Sequence, residues 1–272
     1  MAKNSNNPTV VFHNNFNKIP LKPLSEMERN LMFALMHKMK EKKGETIEFS
    51  IKYLQKILNK TANYSEEQTW EIIEKLENNF FHLSLKKISD DGEWIDREHL
   101  FTTFSIHKDK TAIKLKINPA FQYIVNDLVK DFTKFELEEF FYINGKYAKD
   151  LYKNLKQWRK KGCVQWSWEY FKEMLCIPET YRQRDIDTRI LKPAVKELMR
   201  PLDLFDTVRQ PFKNLKYEKI KGKGRGRGGK VIGIKFTFDP EIIPQVVGPE
   251  EEFHLEPLTQ ADLDLMNQNL SD

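Results

Sequence analysis

The sequence predicts an α+β protein that contains two copies of one unit, in which three helices are combined with a β-hairpin. Three observations support this prediction. First, the 272 residues can form two domains of about 110 to 120 residues each. Second, predicted helices and strands follow one another in the same order in both halves of the chain. Third, basic residues are concentrated at the third helix and the hairpin of the second half.

Two capping boxes mark helix starts in the first copy. Ser25 with Glu28, and Ser65 with Gln68, have the spacing at which a hydroxyl and a carboxylate or amide bond each other's backbone N–H groups. The first of these helices ends near Gly44. The remaining predicted elements are a strand at 46–49, a helix at 51–58 and strands at 82–88, 99–106 and 112–117.

The second copy repeats this order with an offset of about 120 residues. Gly162 ends its first helix, and Asp185 is the predicted N-cap of its third helix. From that cap, Ile186, Ile190 and Leu198 fall on one apolar face at helical spacing. The predicted elements are helices at 146–160 and 168–175, the third helix from Asp185, and strands at 163–168, 204–220 and 231–238.

The shared order is that of the winged-helix version of the helix-turn-helix, whose third helix enters a DNA major groove while the hairpin wing touches the backbone. We therefore predict two tandem winged-helix domains and a tail. The predicted limits are 1–124 for the N-terminal domain, 125–244 for the C-terminal domain and 245–272 for an acidic, disordered tail.

The charge distribution predicts a polyanionic partner, with nucleic acid as the leading candidate, and a winged-helix protein is expected to bind it as double-stranded DNA. Nine acids and no Lys or Arg occur from Phe236 onward, so the net charge of +5 on the whole chain leaves +14 on residues 1–235. A basic body with an acidic tail is typical of proteins that bind a polyanion. The polar N-terminus and the absence of a long apolar run predict an unexported protein with no membrane partner. The two cysteines are expected to be ordinary thiols in a reducing cytoplasm.

Most candidate DNA-binding residues lie on the third helix of the second copy and just before it. Its exposed side carries cations and amides that can bond guanine or adenine edges in a major groove. A solvated, charged surface helix is the alternative interpretation. The candidate groove-reading residues are Arg182, Gln183, Arg184, Thr188, Arg189, Lys192 and Lys196.

The segment 209–235 is predicted to be a wing that contacts phosphates. It holds ten cations and one acid, so its binding to DNA should depend steeply on salt. A disordered basic linker is the alternative. Gly224, Gly226 and Gly229 resemble a nucleotide-binding loop, but a β-branched strand follows where that loop requires a helix. The candidate phosphate contacts are Lys219, Lys221, Lys223, Arg225, Arg227 and Lys230.

No catalytic residue, metal site or cofactor is predicted. A DNA-nicking initiator needs paired histidines that hold a metal beside a nucleophilic tyrosine, and the six histidines of this chain are scattered. Tyr181 lies among cations, but we interpret it as a packing or phosphate-contacting residue. The sequence therefore favours a binding protein over an enzyme.

Two segments carry a resemblance to a known family. They are YAKDLYKNLKQWRKKG (147–162) and FKEMLCIPETYRQRDIDTRILKPAVKEL (171–198), which resemble the replication initiator (Rep) proteins of theta-replicating plasmids with iterated origin repeats (iterons). Pro193 belongs to the family pattern. The resemblance implies that the second domain reads the major groove of each repeat and that the first domain makes accessory DNA contacts and forms a homodimer. It also implies that the protein can repress its own gene.

The same resemblance implies origin opening, copy control and recruitment of the host helicase or its loader. The tail segment LTQADLDLMNQNL also loosely resembles short peptides that bind the bacterial sliding clamp. Two alternatives stay open. One is a transcriptional repressor with tandem winged helices, and the other, of a different class, is a rolling-circle nicking enzyme.

Overall fold

The structure is a computed structural model that describes residues 8–40, 42, 44–89, 91–126, 128, 131–204, 207–222 and 229–241. The helices are α1 Glu26–Met39, α2 Ile51–Leu58, α3 Glu66–Phe80, α4 Leu137–Phe141, α5 Lys146–Lys156, α6 Trp168–Met174, α7 Gln183–Ile186 and α8 Lys192–Leu198. Short 3-10 helices lie at Asn14–Lys18 and Pro119–Ile124, and a π-helical turn lies at Asp187–Leu191.

The strands are β1 Thr9–His13, β2 Ile47–Ser50, β3 Ser84–Ile88, β4 Ile95–His99, β5 Phe101–Ile106, β6 Ala112–Ile117, β7 Phe132–Glu136, β8 Cys163–Ser167, β9 Leu202–Leu204, β10 Thr207–Arg209, β11 Lys216–Lys221 and β12 Val231–Thr237. Two three-stranded antiparallel sheets have equivalent connections. In β2-β6-β5 and in β11-β12-β8, the short strand that follows the first helix of a copy pairs with the last strand of its wing. The tandem winged-helix prediction is therefore confirmed.

The helix starts of the first copy form as their sequence predicts. The Ser25 hydroxyl accepts the Glu28 N–H at 3.3 Å, and the Glu28 carboxylate accepts the Ser25 N–H at 2.7 Å. Ser65 and Gln68 make the same two hydrogen bonds at 3.1 and 2.9 Å. Both capping boxes are complete, which satisfies backbone donors that a helix start otherwise leaves unpaired.

An aromatic cluster joins the start of the chain to the segment between the copies. Strand β1 pairs with β7 in antiparallel register, and Val10 lies opposite Phe135. Phe33 on α1 lies within 6 Å, between ring centroids, of Phe12, Phe16, Phe135 and Phe140. This cluster ties the N-terminal strand to the elements that lead into the second copy.

Helix α5 carries buried charges between the two copies. Arg29 on α1 is 1% exposed, and its Nε and Nη2 atoms each lie 3.0 Å from the Asp150 carboxylate on α5. Lys149 is also buried and donates to the Phe140 carbonyl at 2.6 Å. Burial lowers the pKa of Lys149 to about 7 and that of Lys153 to about 8. Both lysines lie in an apolar environment that disfavours their charged form.

The predicted N-cap of the third helix in the second copy is wrong. The helix begins three residues earlier, with Arg182 as N-cap and Gln183 as its first residue. Asp185 is the third helical residue, and its carboxylate accepts the Arg182 N–H at 3.1 Å. An acid at this position completes half of a capping box, which explains why an aspartate marks the helix start without being the cap itself.

Candidate DNA-binding interface

Segments α7, the π-helical turn and α8 follow one another without a break, and we call them the composite helix. The caps between them, Asp187 and Leu191, both have right-handed helical backbone angles. Its inner face is buried in the second copy, as the sequence predicts. The buried residues on that face include Ile186, Ile190, Ala194, Val195 and Leu198.

The outer face of the composite helix is basic and open to solvent. All seven predicted groove-reading residues are exposed in the structure, on this face and at the turn that starts it. They are Arg182, Gln183, Arg184, Thr188, Arg189, Lys192 and Lys196. The structure thus brings together the residues that the sequence predicts, although their contacts with bases stay a prediction.

Pro193 is accommodated by the π-helical turn that precedes it. A proline inside a helix removes one N–H and its ring collides with the carbonyl four residues earlier. Here Lys192 donates its N–H to the Asp187 carbonyl, five residues back. The wider turn alters the backbone just before the proline, and it leaves α7, which carries the start of the basic face, regular.

Thr188 offers the groove an acceptor rather than a donor. Its hydroxyl donates to the Arg184 carbonyl at 2.9 Å, one turn earlier, so its proton is already engaged. The remaining lone pairs can accept from adenine N6 or cytosine N4, and the methyl group can contact the thymine methyl.

Arg189 is held by two neighbours although its side chain is 61% exposed. Its Nε atom lies 3.5 Å from Asp185 Oδ1, and its guanidinium carbon lies 5.2 Å from the centroid of the Tyr181 ring. A hydrogen bond to Tyr181, and then the charge of Asp185, raise the pKa of the Arg189 guanidinium.

The wing is attached to the composite helix through Asp187. Its carboxylate pairs with Lys219 on β11 and accepts a hydrogen bond from the Tyr217 hydroxyl at 3.4 Å. Lys219 Nζ also lies 5.5 Å from the centroid of the Trp168 ring, and the side chain is 16% exposed. This placement makes Lys219 a link between the wing and the helix. Its predicted phosphate contact is untested.

Lys221 and Lys230 flank the described end of the wing and are both exposed. The Gly222 N–H donates to the Lys230 carbonyl at 2.9 Å, so the hairpin ladder continues to this point. The other three predicted wing residues, Lys223, Arg225 and Arg227, lie outside the described residues. So does the predicted acidic tail.

The equivalent helix of the first copy has the opposite charge. Helix α3 exposes the carboxylates of Glu66, Glu67, Glu71 and Glu74. Lys110, from the turn of the first wing, pairs with Glu74 at 2.8 Å. Exposed carboxylates repel the negatively charged phosphates of DNA. The composite helix, and not α3, is therefore suited to enter a DNA groove.

Sequence reasoning missed two residues at this interface. Asp187 was not predicted to have a role, because its partners Tyr217 and Lys219 are 30 and 32 residues away in the chain. Tyr181 was predicted only to pack or to contact phosphate. Its position just before a basic helix was the one available signal.

The part of the chain that the structure describes contains neither a metal-binding cluster nor a membrane-spanning helix. No group of three or more His, Cys, Asp or Glu side chains is arranged to hold a metal ion there. No helix in those ranges is both long enough and apolar enough to cross a membrane.

Two winged-helix units, one of which presents a basic composite helix beside its wing, define a DNA-binding protein of the tandem winged-helix class. Models of the two domains of one protein family match this chain. The model described as "Initiator Replication protein, WH1" matches residues 9–156, and "Initiator Rep protein, WH2" matches residues 167–238. The chain belongs to this family of replication initiator proteins.

Comparisons with single proteins agree with the family. A "Probable replication protein rep" of Bifidobacterium longum (strain NCC 2705) is 28% identical over 242 residues, which cover 88% of this chain and 75% of that protein. The structure described as "Crystal structure of Pi initiator protein in complex with iteron DNA" aligns with a TM-score of 0.61 and 13% identity. The alignment covers 86% of this chain and 98% of that one, and at this identity it shows that the fold is shared.

Proposed function

We propose that this protein is a plasmid replication initiator that binds repeated sequences at its origin. The observation that carries the proposal is the charge difference between two equivalent helices. At its start the composite helix exposes cations and polar groups, and its Asp185 and Asp187 carboxylates are partly buried in ion pairs, whereas α3 exposes carboxylates. The second domain therefore reads the major groove, and the first serves other contacts. The Pi initiator, which shares the fold, is described in complex with iteron DNA.

Binding combines two kinds of contact. Side chains at the start of the composite helix meet base edges and give sequence preference. Exposed wing cations, such as Lys221 and Lys230, meet phosphates and release counterions, so affinity falls steeply with salt. Occupation of several repeats then favours opening of adjacent A·T-rich DNA. Binding at the protein's own promoter represses its gene and limits plasmid copy number.

Footprinting on the DNA that flanks the coding region tests this function. We expect regularly spaced protected repeats, each of about two helical turns. The matched control is the variant Arg184→Glu with Lys192→Glu, which reverses charge on the basic face and should lose the footprint. A single protected palindrome instead of repeats would support a plain transcriptional repressor.

We infer that the protein acts by binding DNA and not by cleaving it, because it belongs to a family of winged-helix initiator proteins and its candidate interface offers cations and hydrogen-bonding groups. Incubation with supercoiled origin DNA and Mg²⁺ distinguishes an initiator of this kind from a rolling-circle nicking enzyme. The DNA should stay intact, and a covalent adduct between a tyrosine and a 5′ phosphate would contradict the proposal.

We also infer a homodimer through the N-terminal domain, formed by the edge of β4. In the described part of the chain, β4 pairs with β3 alone. Trp94, just before this strand, and Ile95, its first residue, are 67% and 62% exposed. Antiparallel pairing of two β4 strands about the midpoint of Asp96 and Arg97 sets each Asp96 opposite the partner's Arg97. Exposed edges of this kind pair readily with a second copy.

Replacement of Trp94 and Ile95 by serine is expected to shift the protein from dimer to monomer in sedimentation experiments. The control is Tyr142→Ser, which changes an aromatic side chain of 40% exposure outside the hairpin. A dimer that persists in the double variant, at the concentrations where the control dimerises, would place the interface elsewhere.

The remaining partners follow from the proposed function. We propose recruitment of the host helicase or its loader, and contact of the tail with the sliding clamp, in a bacterial cytoplasm. We further propose that the working units are the predicted domains 1–124 and 125–244, with 245–272 as an acidic tail. The clamp contact is tested by pull-down with the full chain against a chain that ends at residue 258.

A further inference from the structure

We propose that Tyr181 and Asp185 are positioning residues that fix the guanidinium of Arg189 so that it reads one guanine in each repeat. This inference rests on the proposed function, because it assumes that the composite helix enters a major groove. In this view Arg189 recognises guanine, and Tyr181 and Asp185 contribute to base specificity although neither belongs to the basic face.

Asp185 connects Arg189 to the start of the composite helix. One oxygen of its carboxylate, Oδ2, accepts the Arg182 N–H at 3.1 Å, and the other, Oδ1, faces Arg189 Nε at 3.5 Å. The helix start orients the carboxylate, and the carboxylate in turn orients the arginine one turn later. A flexible side chain is thereby restrained along one edge.

Tyr181 supports the guanidinium from a second direction. Its ring packs partly buried against the hydrophobic core, and its N–H donates to the Pro178 carbonyl at 2.9 Å. The aromatic ring is therefore fixed by the domain, while the guanidinium carbon lies 5.2 Å from its centroid. Planar guanidinium groups stack favourably on aromatic rings in this way.

The two contacts leave enough donors for a base. A guanidinium has five N–H donors, and the one on Nε faces Asp185 while the two Nη groups carry the other four. Guanine presents two acceptors in the major groove, O6 and N7, and an arginine fork bonds both at once. Adenine presents a donor where guanine has O6, so a restrained arginine fork discriminates against it.

Neighbouring cations are not held in this manner. Arg184 and Lys192 are exposed on the same face, and neither side chain forms an ion pair or hydrogen bond within the described ranges. Free side chains can adjust to phosphates or to several bases. A restrained arginine loses less conformational freedom on binding, which favours a single geometry and a single base.

The test is a double-mutant cycle on base preference. Affinity is measured for the repeat and for repeats in which each guanine is replaced in turn. Asp185→Asn keeps an oxygen for the Arg182 N–H but removes the charge that faces Arg189. Tyr181→Leu keeps an apolar side chain but removes the ring. Each variant should lose about 5- to 10-fold of the preference for one guanine and keep its affinity for random DNA.

In an Arg189→Ala background, the same two substitutions should have no further effect on base preference. Tyr170→Phe, a tyrosine change on neighbouring α6, serves as the control and should leave the preference unchanged. Equal losses on every sequence, or losses that persist without Arg189, would mean that the two residues act only through stability. That outcome overturns the positioning role.

The variant Tyr181→Phe keeps the ring and guards against misfolding of Tyr181→Leu, and thermal unfolding of each variant verifies the fold. Tyr181→Phe should retain most of the preference, because stacking is kept, and a loss as large as that of Tyr181→Leu would contradict the role of the ring.

If the unmodified protein shows no preference for repeats, the proposed function itself fails. If it binds repeats and Asp185→Asn preserves the guanine preference, only this inference fails.

Discussion

Replacement of Asp150 with asparagine is expected to lower the free energy of unfolding by about 3 to 5 kcal/mol, because it leaves the charge of Arg29 buried without its partner. Arg29 is 1% exposed and bonds both oxygens of the Asp150 carboxylate at 3.0 Å. Its Nη2 atom also donates to the Leu21 carbonyl at 2.8 Å, so the guanidinium is fixed and cannot turn to solvent. Chemical denaturation followed by fluorescence measures the loss.

The control is Glu48→Gln, which breaks an ion pair with Lys114 whose side chains are 61% and 55% exposed. That change should cost less than about 1 kcal/mol, because solvent screens exposed pairs. The double variant Arg29→Met with Asp150→Leu removes both charges and should recover part of the stability lost in Asp150→Asn. If Asp150→Asn and Glu48→Gln cost the same, the Arg29–Asp150 pair does not stabilise the interface between the copies.

Local sequence signals predicted most of the fold. The capping boxes at Ser25 and Ser65 formed as their spacing indicates, and the short strands before the second helix of each copy are present. The order of elements then gave the winged-helix topology in both halves. Such features depend on residues three or four positions apart, which a single sequence displays directly.

The burial of helix α5 could not be predicted from such local signals. The sequence predicted a helix at 146–160, and the structure buries three of its lysines, Lys149, Lys153 and Lys156, together with its apolar residues. The reason is tertiary: α5 is covered by elements of both copies, and Arg29 meets Asp150 across 121 residues of chain. Hydrophobic periodicity assumes one buried face, so it cannot reveal a helix that is enclosed on several sides.

The candidate DNA-binding site was also predicted only in part. Helical spacing identified the exposed basic face, because the period of the apolar residues fixes which side chains point outward. Helical spacing could not reveal three other features of the site. They are the true position of the N-cap, which is not Asp185, the π-helical turn before Pro193 and the pairing of Asp187 with Lys219. Each of these depends on backbone geometry or on contacts with another element. The positioning of Arg189 therefore emerged only from the structure.

Replacement of Arg189 with alanine is expected to cost about 1 to 3 kcal/mol on the specific repeat and to relax base preference at one position. Affinity for random DNA should change much less, because the proposed contacts of the wing with phosphates remain. Equilibrium binding to the repeat, to single-base variants and to random duplexes at several salt concentrations measures both effects.

The matched control for Arg189→Ala is Lys221→Ala, which removes an exposed cation of the wing. A phosphate contact carries no sequence information, so this variant should weaken binding to all duplexes alike and reduce the salt slope by about one. The two variants thus separate base reading from charge. An Arg189→Ala protein that lost repeat and random DNA in equal measure would show that the composite helix contributes charge alone, and base reading would have to come from another element.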